Sequence, residues 1–178
     1  MADHCVDRAW LAAIGAELCI PTDYGSIRGL IPQSEATNLV PIGANPDGRM
    51  VTLEPQAALA WTAMTSQAAA HGITLLPISG FRSVDRQTEI IREKRAAGAP
   101  IDEILRLVAA PGYSEHHTGR AIDISSPDDP PLEEAFEHTP AFRWLTEHAG
   151  SYGFRLSYPR GNPHGIGYEP WHWFWRPE

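Results

Sequence analysis

Apolar positions along the chain change their period several times, and each change predicts an element. Trp10, Leu11, Ile14 and Leu18 fall on one face of a 3.6-residue spiral, which predicts a short helix over residues 6–19. Between residues 20 and 50 that pattern dissolves into Pro, Gly, Asn and Asp with brief apolar runs such as Leu39-Val40-Pro41-Ile42, read as loops with short strands. Asn45-Pro46-Asp47-Gly48 predicts a turn. Helical spacing returns with Leu53, Ala57, Leu59, Ala60, Met64 and Ala68, predicting a helix over 54–71 closed by Gly72.

The apolar run from Ile73 to Ser79 predicts a buried strand, and after Gly80-Phe81-Arg82 the N-cap residue Ser83 starts a helix to about Ala97. A further helix runs from Ile101 to Ala109 and is stopped by Pro111-Gly112. Residues 120–125 read as a strand, Pro127 to Pro131 as a turn, Pro140 to Tyr152 as a helix, Phe154 to Ser157 as a strand and Pro159 to Gly167 as a loop. Alternation in the last strand, Trp171 to Trp175, puts the three tryptophans on a packing face and His172 with Phe174 on the other. The closing strands lie too near one another for crossover helices, so the class is α+β with an antiparallel sheet.

Composition narrows the functions. A chain of 178 residues builds one domain with a proper core, and a net charge of −8 argues against a nucleic-acid partner held through phosphates. No apolar run is long enough to span a membrane. The segment from Met1 to Trp10 lacks the apolar stretch of a signal peptide, which leaves three addresses: the cytoplasm, export by another route, or the cell envelope after removal of a signal. Cys5 and Cys19 form either a disulfide or two unpaired thiols.

The chemistry gathers in two segments, Ser114-Glu115-His116-His117-Thr118-Gly119-Arg120-Ala121-Ile122-Asp123 and Glu169-Pro170-Trp171-His172-Trp173. Two imidazoles, one carboxylate and a spare carboxylate are the inventory of a catalytic zinc site. An aspartate inside an apolar strand is costly to bury unless it is paired or binds metal. Taken singly, each residue has an ordinary alternative: a hydrogen-bonded core histidine, a turn-capping Asp123, a surface Glu169, an Arg82 in a surface ion pair, a solvated Gln87. Two imidazoles and a carboxylate also describe a non-haem iron centre, but such a centre has no use for Glu169 beside it.

These segments, with Ile78-Ser79-Gly80-Phe81-Arg82-Ser83 through Gln87, resemble the zinc D-alanyl-D-alanine carboxypeptidases of the vancomycin-resistance type. Their LAS zinc peptidase superfamily also holds D-alanyl-D-alanine dipeptidases, L-alanyl-D-glutamate endopeptidases of phage lysins and the hedgehog signalling domain. The similarity covers roughly residues 50–178, and about the first 40 residues carry no match. The resemblance implies a hedgehog/DD-peptidase fold, a small antiparallel sheet flanked by helices. It implies a single zinc peptidase domain over 1–178, with 1–50 a helix-and-loop extension and 51–178 the catalytic core. By position it implies zinc held by His116, Asp123 and His172, with His117 outside that set. Glu169 becomes the catalytic base and Arg82 the partner of the oxyanion, while Ser114 and Gln87 hold the C-terminal end of the substrate.

The activity so implied is removal of D-alanine from a peptidoglycan stem peptide or muropeptide. L,D-carboxypeptidase and L-alanyl-D-glutamate endopeptidase activities are alternatives, and a non-catalytic zinc-binding module of the same fold is the competing class. Tyr113, Tyr158 and Tyr168 are expected to line the cleft, the loop from Tyr158 to Tyr168 to form a mobile rim, and His164 to lie on the surface.

Overall fold

The computed structural model describes residues 8–127 and 129–177. Helix α1 (Arg8–Leu18) buries Ile14 and Leu18 but leaves Trp10 39% exposed. Cys5, and with it the pairing with Cys19, lies outside the described residues. Besides an unexpected helix α2 (Tyr24–Arg28), the stretch expected as loops with short strands holds a hairpin of β1 (Val40–Ala44) and β2 (Met50–Leu53). Its turn is the expected one: the Asn45 side chain accepts the Arg49 N–H at 2.9 Å.

Because β2 runs to Leu53, that residue belongs to a strand and not to the helical stripe. Helix α3 (Pro55–Ala70) starts under Glu54, whose carboxylate accepts the N–H groups of Gln56 and Ala57. Proline at its first position loses no helical hydrogen bond. Leu59, expected on the apolar face, is 72% exposed.

The remaining elements are β3 (Leu76–Ser79), α4 (Val84–Ala96), α5 (Ile101–Leu107), β4 (Ala121–Ser125), α6 (Pro140–His148), β5 (Phe154–Leu156) and β6 (His172–Trp175). Ser83 caps α4 as expected, accepting the Arg86 N–H. The helix read to Tyr152 changes character at Ala149, where its last turn tightens into a 3-10 helix closed by Gly153.

Strands β3-β4-β6-β5 form one antiparallel sheet. Pro77 is tolerated because β3 is an edge strand, and the register shifts between Pro77 and Ser79. One sheet face, with Ile122, Ile124, Trp173 and Trp175, packs on Trp61 and Met64 of α3 and on Trp144 and Leu145 of α6. Each fully buried aliphatic side chain there contributes roughly 1.5–3 kcal/mol. A second core joins Ile14, Leu18, Val84, Ile91, Ile104 and Leu105 from α1, α4 and α5. The opposite face of the sheet turns toward this second group of helices.

Candidate metal centre

Three neighbouring strands deliver one row of polar side chains. Ser79, Asp123 and His172 are register partners across β3, β4 and β6, so they stand side by side away from the α3–α6 core. Asp123 and His172 are each 3% exposed. A carboxylate so buried needs partners, and Asp123 finds them first in two imidazoles. Its Oδ1 lies 3.0 Å from His172 Nδ1 and its Oδ2 lies 3.3 Å from His116 Nε2. Donor atoms of His116, Asp123 and His172 all fall within 4.8 Å of one another, and two imidazoles with a carboxylate suit zinc.

His116 arrives on the 3-10 helix Glu115–Thr118, which ends at Gly119. That glycine sits at φ +66°, and a Cβ there would meet the Glu54 N and Leu39 Cδ2 at 3.0 Å. Conformation and space therefore both demand glycine at this position. The tight helix presents two histidines to the loop between β3 and α4. His116 Nδ1 lies 2.6 Å from the Gly80 carbonyl oxygen, and His117 Nδ1 lies 2.6 Å from that of Arg82. A carbonyl only accepts, so each Nδ1 carries the proton. In His116 this leaves a bare Nε2 facing Asp123. In His117 the Nε2 accepts the Gly112 N–H at 3.1 Å, so both nitrogens are committed to the backbone.

Arg82 reaches the same row from the loop. Its Nη1 donates to Gln87 Oε1 and its Nη2 to Ser79 Oγ, both at 3.1 Å, and Nη2 stands 3.7 Å from Asp123 Oδ2. Gln87 is fully buried and its Nε2 donates to the Ala109 carbonyl at 2.6 Å, which makes it a strut behind Arg82. Ser114 lies on the wall of the cleft. Glu169 Oε2 is 3.9 Å from His172 Nδ1, on the side of the ring that faces Asp123.

Glu115 had no assigned role in the sequence, yet its Oε2 lies 3.0 Å from His172 Nε2. No spacing rule links residues this far apart; only the docking of the 3-10 helix on β4, the strand paired with β6, brings them together. The Tyr158 ring packs on His172 at 4.9 Å between centroids.

Electrostatics separate the groups. Burial pushes the Glu169 carboxyl up to about 7, close to where proton exchange at neutral pH is most effective. Burial would also raise Asp123, but His116 and His172 beside it hold its carboxyl well below the usual range. Burial lowers His116, and lowers His117 to about 4. Burial opposes charge on His172 too, yet hydrogen bonds to Asp123 and Glu115 outweigh it and raise that imidazole.

The row opens into a cleft of ≈ 400 Å³ between α4 and the segment around Tyr168. Tyr158, Tyr168 and Trp171 line it, whereas Tyr113 lies on a separate apolar pocket beside α1. The loop expected to be a mobile rim is tied down. Arg28 Nη1 donates to the Leu105 and Gly165 carbonyls at 2.8 and 2.9 Å, and the Gly167 N–H donates to Arg106 at 2.7 Å. His164 is half-buried with its Nδ1 on the Arg28 carbonyl, so it is a structural link and not a free surface residue. The N-terminal extension also braces the site: Glu35 accepts the Val84 N–H at the start of α4, and the Ala36 N–H donates to the His117 carbonyl at 2.8 Å.

Comparison with known proteins covers the segment that carries these residues. The family model VanY, D-alanyl-D-alanine carboxypeptidase, matches residues 50–178. The YodJ protein of Bacillus subtilis is 34% identical over 166 residues, which cover 91% of this chain and 58% of YodJ. The chain thus spans little more than half of that relative. Among solved structures, the LdcB LD-carboxypeptidase superposes with a TM-score of 0.71 at 33% identity, covering 80% of this chain and 70% of LdcB. A mutant of the vancomycin-resistance D,D-pentapeptidase VanY in complex with Zn(II) gives a TM-score of 0.62 at 26% identity, with 82% of each chain covered.

Proposed function

The chain belongs to the VanY family of D-alanyl-D-alanine carboxypeptidases, and from that premise we propose that it is a zinc-dependent carboxypeptidase removing a C-terminal D-alanine from peptidoglycan stem peptides. The observation that carries the reading is the placement of Glu169. It stands beside the His116–Asp123–His172 cluster, buried and raised to about 7, yet outside the set of donor atoms that converge. A structural metal has no use for such a group.

In this reading His116, Asp123 and His172 would hold zinc, with His116 Nε2 and His172 Nδ1 the imidazole nitrogens that face Asp123. When bound there, zinc supplies a water with a pKa near 7 and polarises the scissile carbonyl. Glu169 takes a proton from the attacking water and returns it to the departing amine. Arg82, held rigid by Ser79 and Gln87, keeps its guanidinium aimed at the oxyanion that develops on the substrate. Ser114 on the cleft wall offers a hydroxyl to the terminal carboxylate. Burial of the whole row keeps competing water out and strengthens each of these interactions.

A second specificity has support of its own. The structural match to an LD-carboxypeptidase, with a TM-score of 0.71, favours a tetrapeptide as an alternative substrate. The deciding experiment is mass spectrometry of pentapeptide and tetrapeptide muropeptides after incubation with zinc-loaded and chelator-treated protein. Loss of one alanine from the pentapeptide alone assigns D,D-carboxypeptidase activity; loss from the tetrapeptide assigns the L,D class. No cleavage of either by zinc-loaded protein would overturn the carboxypeptidase reading in favour of an endopeptidase or a binding module.

A further inference from the structure

Glu115 belongs neither to the converging donors nor to the proton path, but it holds one end of a donor. Its Oε2 lies 3.0 Å from His172 Nε2, at the end of the ring remote from Asp123 and Glu169, which face Nδ1 at 3.0 and 3.9 Å. An ionised carboxylate only accepts hydrogen bonds, so Glu115 keeps a proton on Nε2, and Nδ1, which faces Asp123, is the nitrogen left to be given up to a metal. His116 is held the other way round, with Nδ1–H on the Gly80 carbonyl and Nε2 bare. The two imidazoles therefore present different nitrogens to Asp123, and each choice is made by the acceptor behind the ring.

The two acceptors differ in kind. Behind His116 stands a neutral carbonyl fixed in the backbone. Behind His172 stands a carboxylate, which anchors the ring and also raises the basicity of Nδ1. The torsion about Cβ–Cγ of a histidine is broad, so the backbone of β6 does not by itself choose which edge of the ring faces the cluster. Glu115 and the Tyr158 ring packed on His172 make that choice together. Resting on the zinc reading above, we propose that Glu115 is a positioning residue that sets the tautomer and orientation of His172 and through them the affinity for zinc. One short helix then governs both imidazoles: Glu115 orients one, and its neighbour His116 is the other.

The test is zinc affinity by chelator competition for the parent, E115A and E115Q, with the His172 tautomer read by nitrogen NMR in the zinc-loaded parent. E115A should bind zinc about 10–100-fold more weakly at unchanged stoichiometry. E115Q keeps an amide oxygen that can accept from Nε2–H and should recover most of that loss. A role confined to stability would lower the melting temperature of the metal-free variants and leave zinc affinity where it was. E115A affinity within about twofold of the parent, or His172 bound through Nε2, would overturn the proposal. If E115A does not fold, E115Q and the NMR signature of the parent still decide. A parent that takes up no zinc would overturn the underlying reading together with this one, whereas a zinc-binding parent with unaffected variants would overturn this one alone.

Discussion

His116 and His117, adjacent in sequence, grip carbonyls two residues apart on one loop, those of Gly80 and Arg82, each at 2.6 Å. The likeness ends there, because His116 keeps a bare nitrogen and His117 closes its second nitrogen on the Gly112 N–H. Replacing each by alanine should therefore give different failures. H116A should lose the bound metal and the activity. H117A should retain the metal but leave two buried backbone groups without partners, at a cost of about 2–4 kcal/mol. Metal content by elemental analysis beside urea unfolding reads both, and metal lost from H117A alone would reverse the assignment.

His117 also makes stability depend on pH. Its folded pKa of about 4 lies below the unfolded value of 6.5, because burial favours the neutral ring. The stability this contributes is complete above pH 6.5 and is lost as pH falls from 6.5 toward 4, about 3 kcal/mol in all. Glu169, raised to about 7, acts with the opposite sign: its contribution is complete below its unfolded 4.5 and is lost as pH rises toward 7. Subtracting the unfolding curve of H117Q from that of the parent isolates the histidine. A difference that stays flat between pH 6.5 and 4 would contradict a neutral His117.

Glu169→Gln removes the base while keeping its shape. We expect metal content and melting temperature to stay near those of the parent and turnover to fall at least about a hundredfold. Undiminished release of alanine from a muropeptide would take Glu169 out of the mechanism.

A glycine offers a test remote from the chemistry. A Cβ on Gly80 would lie 2.3 Å from the Thr52 carbonyl oxygen of β2, so the loop would have to shift and take the Gly80 carbonyl away from His116. Gly80→Ala should cost about 1–3 kcal/mol and weaken metal binding as well. Gly150→Ala, where nothing lies within 4 Å, is the matching control and should stay within about 0.5 kcal/mol. Equal metal affinity in the two variants would show that the hairpin does not support the site.

Much of this was legible in the sequence where periodicity was strong. The elements from β3 to β6 stand close to their expected places, and the residues of the converging cluster come from the motifs that singled them out. What escaped notice depends on tertiary context. Strand β2 was hidden because Leu53 fits the helical spacing of α3 and only the cap at Glu54 separates them. Helix α2 is too short for a periodic signal. The Glu115–His172 contact and the grip of Arg28 on the 164–165 loop join residues far apart in the chain, and an exposed-looking acid or arginine advertises neither.

The cross-strand pairing of Asp123 with His172 also bears on how the molecule assembles. A slip of β6 by one residue against β4 would turn His172 away from Asp123 and thrust Trp173 and Trp175 out of the apolar layer. Correct packing and a complete pair of donors are thus a single event. Metal uptake during refolding would accordingly mark the moment at which β6 docks on β4, giving a clock for the closing step of folding.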